Sequence, residues 1–176
     1  MKFLHALAIS VAAIAGTAQA GTPVLGFEIG VSTIDQVKSA LSGRSKINSG
    51  GLNRYSSGPM FTTDGDSYGI EGLNGVTYVF DGDNRLAAVF MEMSNHRFES
   101  VLNALSGKYK ASAKQIPFVG DKYVRFKTQD AEIAINSPHM SFDMNVSYVR
   151  DDLMRKAKTQ TAVEAEGKRK REAAQF

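Results

Sequence analysis

The sequence predicts an α+β domain: two tandem β-α-β-meander units forming an antiparallel sheet, helices packed on one face, and a charged C-terminal tail. Three observations lead there. The stretches VKSALSGRSK (37–46) and VLNALSGKYK (101–110) lie 64 residues apart and share most of their letters. VTYVFDGDNRLAAVFM (76–91) sets two β-rich runs around Asp81-Gly82-Asp83-Asn84, which is the chemistry of a tight turn. YVRFKTQDAEIAIN (123–136) repeats that layout, and MNVSYVR (144–150) adds one more alternating strand.

Taken in chain order, Met1-Lys2 supplies a positive charge, Phe3 to Gly16 is an apolar run, and Ala18-Gln19-Ala20 presents small residues. That is the layout of a secretory signal peptide over residues 1–20, with cleavage near Ala20 and a periplasmic or secreted product beginning near Gly21. The apolar run is short for a membrane span, and no other segment reaches ~20 apolar residues. The protein contains no cysteine, which removes a lipid-anchor cysteine, thiolate metal sites and cysteine nucleophiles.

Residues 21–150 are expected to form one domain of two repeats, about 21–84 and 85–150. Thr33-Ile34-Asp35-Gln36 reads as a helix start with a capping box, and Gly43 follows the apolar face Ile34, Val37, Ala40 and Leu41. A shift of 64 carries that pattern onto Asn95 as the cap, then Phe98, Val101, Ala104 and Leu105, with Gly107 as the stop. Val24–Glu28 and Ala88–Glu92 are the corresponding strands leading into each helix, and Arg44–Asn48 and Tyr109–Lys114 are strand-like segments after them. Ser49 to Asn74 falls outside the pattern: it is rich in Gly, Ser, Asn and Asp and reads as a long loop. Residues 151–176 hold good helix formers but few apolar residues, the composition of a solvated helix fraying into disorder.

Gly30-x-Ser32, followed by Val37, Leu41 and Gly43, resembles the start of the first helix in small bacterial envelope domains of the BamE/SmpA type. The two-copy layout is similar to the β-lactamase-inhibitor-protein fold of tandem helix-plus-sheet units. The resemblance implies an α+β scaffold that binds other proteins and performs no chemistry. It carries over no binding residues.

Charge and composition narrow the function classes. Between Gly21 and Arg150 there are 13 Lys+Arg and 13 Asp+Glu, so the body is neutral and lacks the basic face of a nucleic-acid binder. The basic excess comes from Lys2 and from the tail, where Lys168-Arg169-Lys170-Arg171 reads as a solvated run. Asp64-Gly65-Asp66 and Asp81-Gly82-Asp83-Asn84 offer oxygen ligands for calcium but lack the remaining spaced acidic positions, so turn chemistry is the preferred reading. His139 lies among Ser137, Ser141 and Asp143 with no nucleophile elbow anywhere in the chain, and His96 has no second histidine close in sequence.

The expectation is therefore an exported, non-enzymatic protein that binds another envelope or secreted protein as an inhibitor, immunity-type or accessory protein. It assigns no catalytic residue, metal or cofactor. Tyr55, Met60, Phe61 and Tyr68 in the 49–74 segment are the expected anchors, since aromatic and Met side chains commonly hold interfaces. The alternatives are a small-molecule or calcium-binding envelope protein, with a pocket between sheet and helices, and, less favoured, a hydrolase using His139.

Overall fold

In the computed structural model residues 21–175 are described, and the signal-peptide expectation for 1–20 lies outside them. The fold is mixed α+β, with one large antiparallel sheet and three helices among the described residues. A two-stranded ribbon comes first: β1 (Pro23–Val24) and β2 (Phe27–Glu28). Its turn, Leu25-Gly26, has φ of 51° and 84°, the pair of positive values that a tight hairpin requires. The chain continues through α1 (Ile34–Leu41), β3 (Ile47–Leu52), β4 (Ser57–Asp64), β5 (Leu73–Asp81) and β6 (Leu86–Ser94). Then come α2 (Phe98–Ser106), β7 (Ala111–Gln115), β8 (Lys122–Lys127), β9 (Ala131–Ser137), β10 (Asp143–Arg150) and α3 (Asp151–Ala173). Strand order in the eight-stranded sheet is β3-β4-β5-β6-β10-β9-β8-β7.

Local chemistry explains most of these elements. The Thr33 hydroxyl accepts from the Gln36 amide, and the Gln36 side chain accepts from the Thr33 amide, completing the capping box of α1. Gly43 stops the helix in the left-handed region with φ of 76°. At the β5–β6 hairpin the Asp81 carboxylate accepts from the amides of Asp83 and Arg85, and Asn84 takes φ of 60°.

The apolar alternation divides the sheet into two faces. Val37 and Leu41 of α1 and Phe98, Leu102 and Leu105 of α2 join Phe61, Tyr78, Phe80, Ile133, Ile135, Met144 and Val146 in the main core. A second, smaller core holds Val79, Ala88 and Val149 with Leu153 of α3. Because Val79 and Val149 alternate with Tyr78, Phe80 and Tyr148 along their strands, α3 lies on the face opposite α1 and α2.

Several expectations are corrected. The segment 49–74 is not a loop: β3, β4 and a 3₁₀ turn at Asp66–Tyr68 occupy most of it. Its small polar residues serve close strand packing, since a Cβ on Gly58 would stand 2.3 Å from the carbonyl oxygens of Phe80 and Asp81. The strands leading into the two helices are not equivalent either. Val24–Glu28 forms the separate ribbon, whereas Ala88–Glu92 is the middle of β6. Asn95 does not cap α2, which starts at Phe98 with no side-chain cap, although the helix does stop at Gly107, its C-cap, with a right-handed φ of −69°. Asn95 instead pins the β9–β10 loop, its amide and side-chain NH₂ donating to the carbonyls of Phe142 and Ser141. Finally, the tail read as a helix fraying into disorder is helical throughout 151–173, its first turn docked on the face opposite the one that α1 and α2 share.

That docking is ionic as well as apolar. Arg150 donates to both Asp152 oxygens at 2.6 and 2.8 Å and sits 2.8 Å from the Asp81 carboxylate, tying α3 to the β5–β6 turn. The hydrogen bonds from Arg150 hold the Asp152 carboxyl below its ordinary value of 3.8, against an opposing effect of burial. Since the folded value lies below the unfolded one, this interaction stabilises fully above the ordinary carboxylate range and is lost as pH falls through the depressed value. Asp152→Asn is therefore expected to lower stability at neutral pH and to flatten the decline below about pH 4 in urea titrations run across pH. Phe61, stacked on Phe80 at 5.5 Å and 2 % exposed, predicts a second outcome. Phe61→Ala should cost about 3–5 kcal/mol of unfolding free energy by the same measurement.

Candidate functional site

The four side chains expected as anchors do not converge. Phe61 and Tyr68 belong to the helix-covered face, and Tyr55 and Met60 pack against the small core beside α3. Phe61 is a core residue. The Tyr68 hydroxyl shares hydrogen bonds with Thr63 at 2.7 Å and with the fully buried Tyr78 at 2.9 Å. Burial pushes the Tyr78 phenol well above its usual range, and its hydroxyl contact with Tyr68 serves the interior. Tyr55 lies at the β3–β4 turn, with its ring 4.7 Å from the Arg54 guanidinium carbon. Tyr55 and Tyr68 thus sit at opposite ends of the sheet.

A different group stands out at the sheet end that carries the β7–β8 and β9–β10 loops. Phe118, Val119, Met140 and Phe142 are 104, 66, 88 and 92 % exposed, so all but Val119 stand almost free of the protein. Residues 116–121 carry the first pair and 138–142 the second. The pairing of Lys122 with Ser137 sets the two loops side by side, and the His139 amide donates to Asp121 Oδ1 at 2.7 Å to join them.

The tip is held in place by hydrogen bonds from its backbone and its serine side chains. The Ser137 hydroxyl donates to Asn95 Oδ1 at 2.6 Å, and the Asn95 amide donates to the Phe142 carbonyl at 2.7 Å. The Ser141 hydroxyl donates to the Asp143 carbonyl and accepts from the Asp143 amide. Met140 takes φ of 59°, a costly conformation for a long side chain that turns the chain sharply at the loop apex. Single exposed apolar residues are ordinary, but four on two joined loops make a contiguous candidate surface. The rim adds two carboxylates, Asp121 and Asp143, whose partners are uncharged: the His139 amide and the Asn74 side-chain amide.

The other candidate groups are placed elsewhere. The hydroxyls of Ser137 and Ser141 donate to Asn95 and to the Asp143 carbonyl, so neither is directed at His139. Asp81 is committed to its own turn and to Arg150, and His96 lies 4.0 Å from Glu71 at the surface. Among the described residues no group of three or more His, Cys, Asp or Glu side chains is arranged to hold a metal ion.

Sequence reasoning passed over the tip because it sought aromatic residues in a long polar segment. The usable signal was a conflict: Phe118-Val119 follows Pro117 and precedes Gly120, and Met140 and Phe142 alternate with Ser141 between Pro138 and Asp143. Large apolar residues in turn chemistry have no core to enter. No protein-family model matches the chain, and no curated protein or solved structure does.

Because these side chains touch little of their own protein, the double substitution Phe118→Ser with Phe142→Ser should move stability by no more than about 0.5 kcal/mol per site. The same variant should elute markedly earlier from a hydrophobic-interaction column. A large loss of stability in thermal unfolding would mean that the loops are packed rather than presented.

Proposed function

We propose that this is an exported, non-enzymatic protein that binds another envelope or secreted protein through the apolar tip formed by Phe118, Val119, Met140 and Phe142. The observation that carries the reading is the exposure of these side chains, near-complete for Phe118, Met140 and Phe142, on two loops fastened to each other and to Asn95. Aromatic and Met side chains on a rigid support form the buried centre of many interfaces, where preorganisation limits the entropy lost on binding. The uncompensated carboxylates Asp121 and Asp143 favour a partner whose apolar cleft has a basic rim, and disfavour an anionic lipid surface. Export is supported by the charge, apolar run and small residues of positions 1–20.

The reading includes descent of the scaffold from a tandem duplication, each unit being a helix followed by a four-stranded meander. Supporting it are the 64-residue offset between the two helix faces and the strand order, in which β3–β6 and β7–β10 run inward from opposite edges to meet at β6 and β10. The unit boundary then falls after β6, at the approach to α2, rather than at residue 84.

Capture from the protein's own envelope extract, with mass spectrometry of what is retained, tests the function. A specific partner should be held by the wild type and lost by the Phe118→Ser, Met140→Ser, Phe142→Ser variant, while Tyr55→Ala retains it. Retention of the same partner by the triple variant would overturn the assignment of the tip.

A further inference from the structure

The face opposite α1 and α2 is only partly covered by α3, and what remains open is a trough with two chemically different halves. One recess of about 250 Å³ runs between α3 and the sheet, lined chiefly by Tyr55, Val79, Phe90, Val149, Leu153 and Met154. The adjoining recess of about 480 Å³ is bordered by Tyr123, Arg125, Glu132, Asn136, Asn145 and Lys158. Both share Phe90, Ser147 and Met154, so the two recesses adjoin at the Phe90 ring. Phe90 lies on central strand β6, opposite Ser147 of β10, and remains 39 % exposed. Small neighbours, Ala134 and Ser147, leave the space beside this aromatic unfilled. An aromatic floor next to an apolar slot, with a few polar groups at one end, is the usual construction of a small-molecule site.

The charges choose the ligand. Arg125 donates from Nε to the Tyr123 hydroxyl at 2.8 Å and stands 3.3 Å from Glu132, which neutralises one cation with one carboxylate. Lys158, on the α3 wall, brings a second cation to the same recess without a further carboxylate among its lining residues. An anion placed there gains Lys158 and the outer edge of the Arg125 guanidinium. The apolar recess is smaller than the ~300–1,000 Å³ of common ligand pockets, and suits one narrow chain rather than a two-chain lipid.

We propose that this trough binds a single-chain amphiphile with a carboxylate head, a free fatty acid, with the chain between Phe90, Val149 and Met154 and the head at Lys158 and Arg125. The site lies on a sheet face, shares no lining residue with the apolar loop tip, and does not depend on the protein-binding reading. Isothermal titration of the purified protein with sodium dodecanoate, kept below micelle formation, tests it against dodecyltrimethylammonium of equal chain length. Dodecanoate is expected to saturate a single site, and the cationic amphiphile to bind at least about tenfold more weakly. Lys158→Glu should weaken dodecanoate by about tenfold or more. Ser147→Phe, which fills the junction of the recesses, should abolish binding while circular dichroism and melting show a folded protein. The Phe118→Ser, Phe142→Ser variant should bind like the wild type. Absence of saturable binding, equal affinity for the two head groups, indifference to Lys158→Glu, or loss of binding in the loop-tip variant would each overturn the proposal.

Discussion

The pairing of β6 with β10 is the constraint on which the rest of the structure depends. Its ladder runs from Asp143 opposite Ser94 to Val149 opposite Ala88, and it is the only seam joining β3–β6 to β7–β10 within the described sheet. Along one face it brings Met91 against Val146 and Val89 against Tyr148, completing the floor on which α1 and α2 pack. Along the other it sets Phe90 against Ser147, a large residue beside a small one, and so leaves the recess next to α3. A slip of one residue would exchange these faces and bury Asn145 and Ser147 among aromatic rings, so the register is strongly specified.

The two surfaces of interest follow from the same geometry. Strand β10 begins beside the apolar tip at Phe142 and ends at Arg150, where the ion pairs with Asp81 and Asp152 turn the chain into α3. The tip is therefore fixed at one end of the sheet, and α3 sets out from the other. The tip presents apolar side chains that the core cannot reach. The trough presents an aromatic residue that the core has only partly covered. These are different physical situations, and the ligands proposed for them differ accordingly: a complementary protein surface in the first case, a slender amphiphile in the second.

How far the sequence was legible depended on how local the deciding interaction is. The β5–β6 hairpin could be read directly, because Asp81 and Asn84 build that turn from their own side chains. The start of α1 was equally plain, since Thr33 and Gln36 cap each other across three residues. The second helix misled because Asn95, a good cap by type, is engaged by Ser141 and Phe142 from 46 and 47 positions away. The β3–β4 hairpin misled for a related reason: its glycines and serines read as loop, yet Gly58 is small because β5 lies against it. The candidate residues fared likewise, with Phe61 chosen for its aromaticity and then found in the core, and Phe118 and Phe142 passed over in turns.

Composition and periodicity by themselves determined the α+β class, the hairpins at 76–91 and 123–136, the amphipathic faces of two helices, and a neutral body without cysteine. Each depends on residues within about one turn or one hairpin of one another. Only the tertiary structure decided which face α3 covers, that residues 49–74 are largely strand, and that two loops about 20 residues apart form one apolar tip. Those outcomes rest on contacts between distant segments: Arg150 with Asp81, Gly58 with Asp81, and Asp121 with His139. A residue's own type does not encode what a remote strand will place beside it.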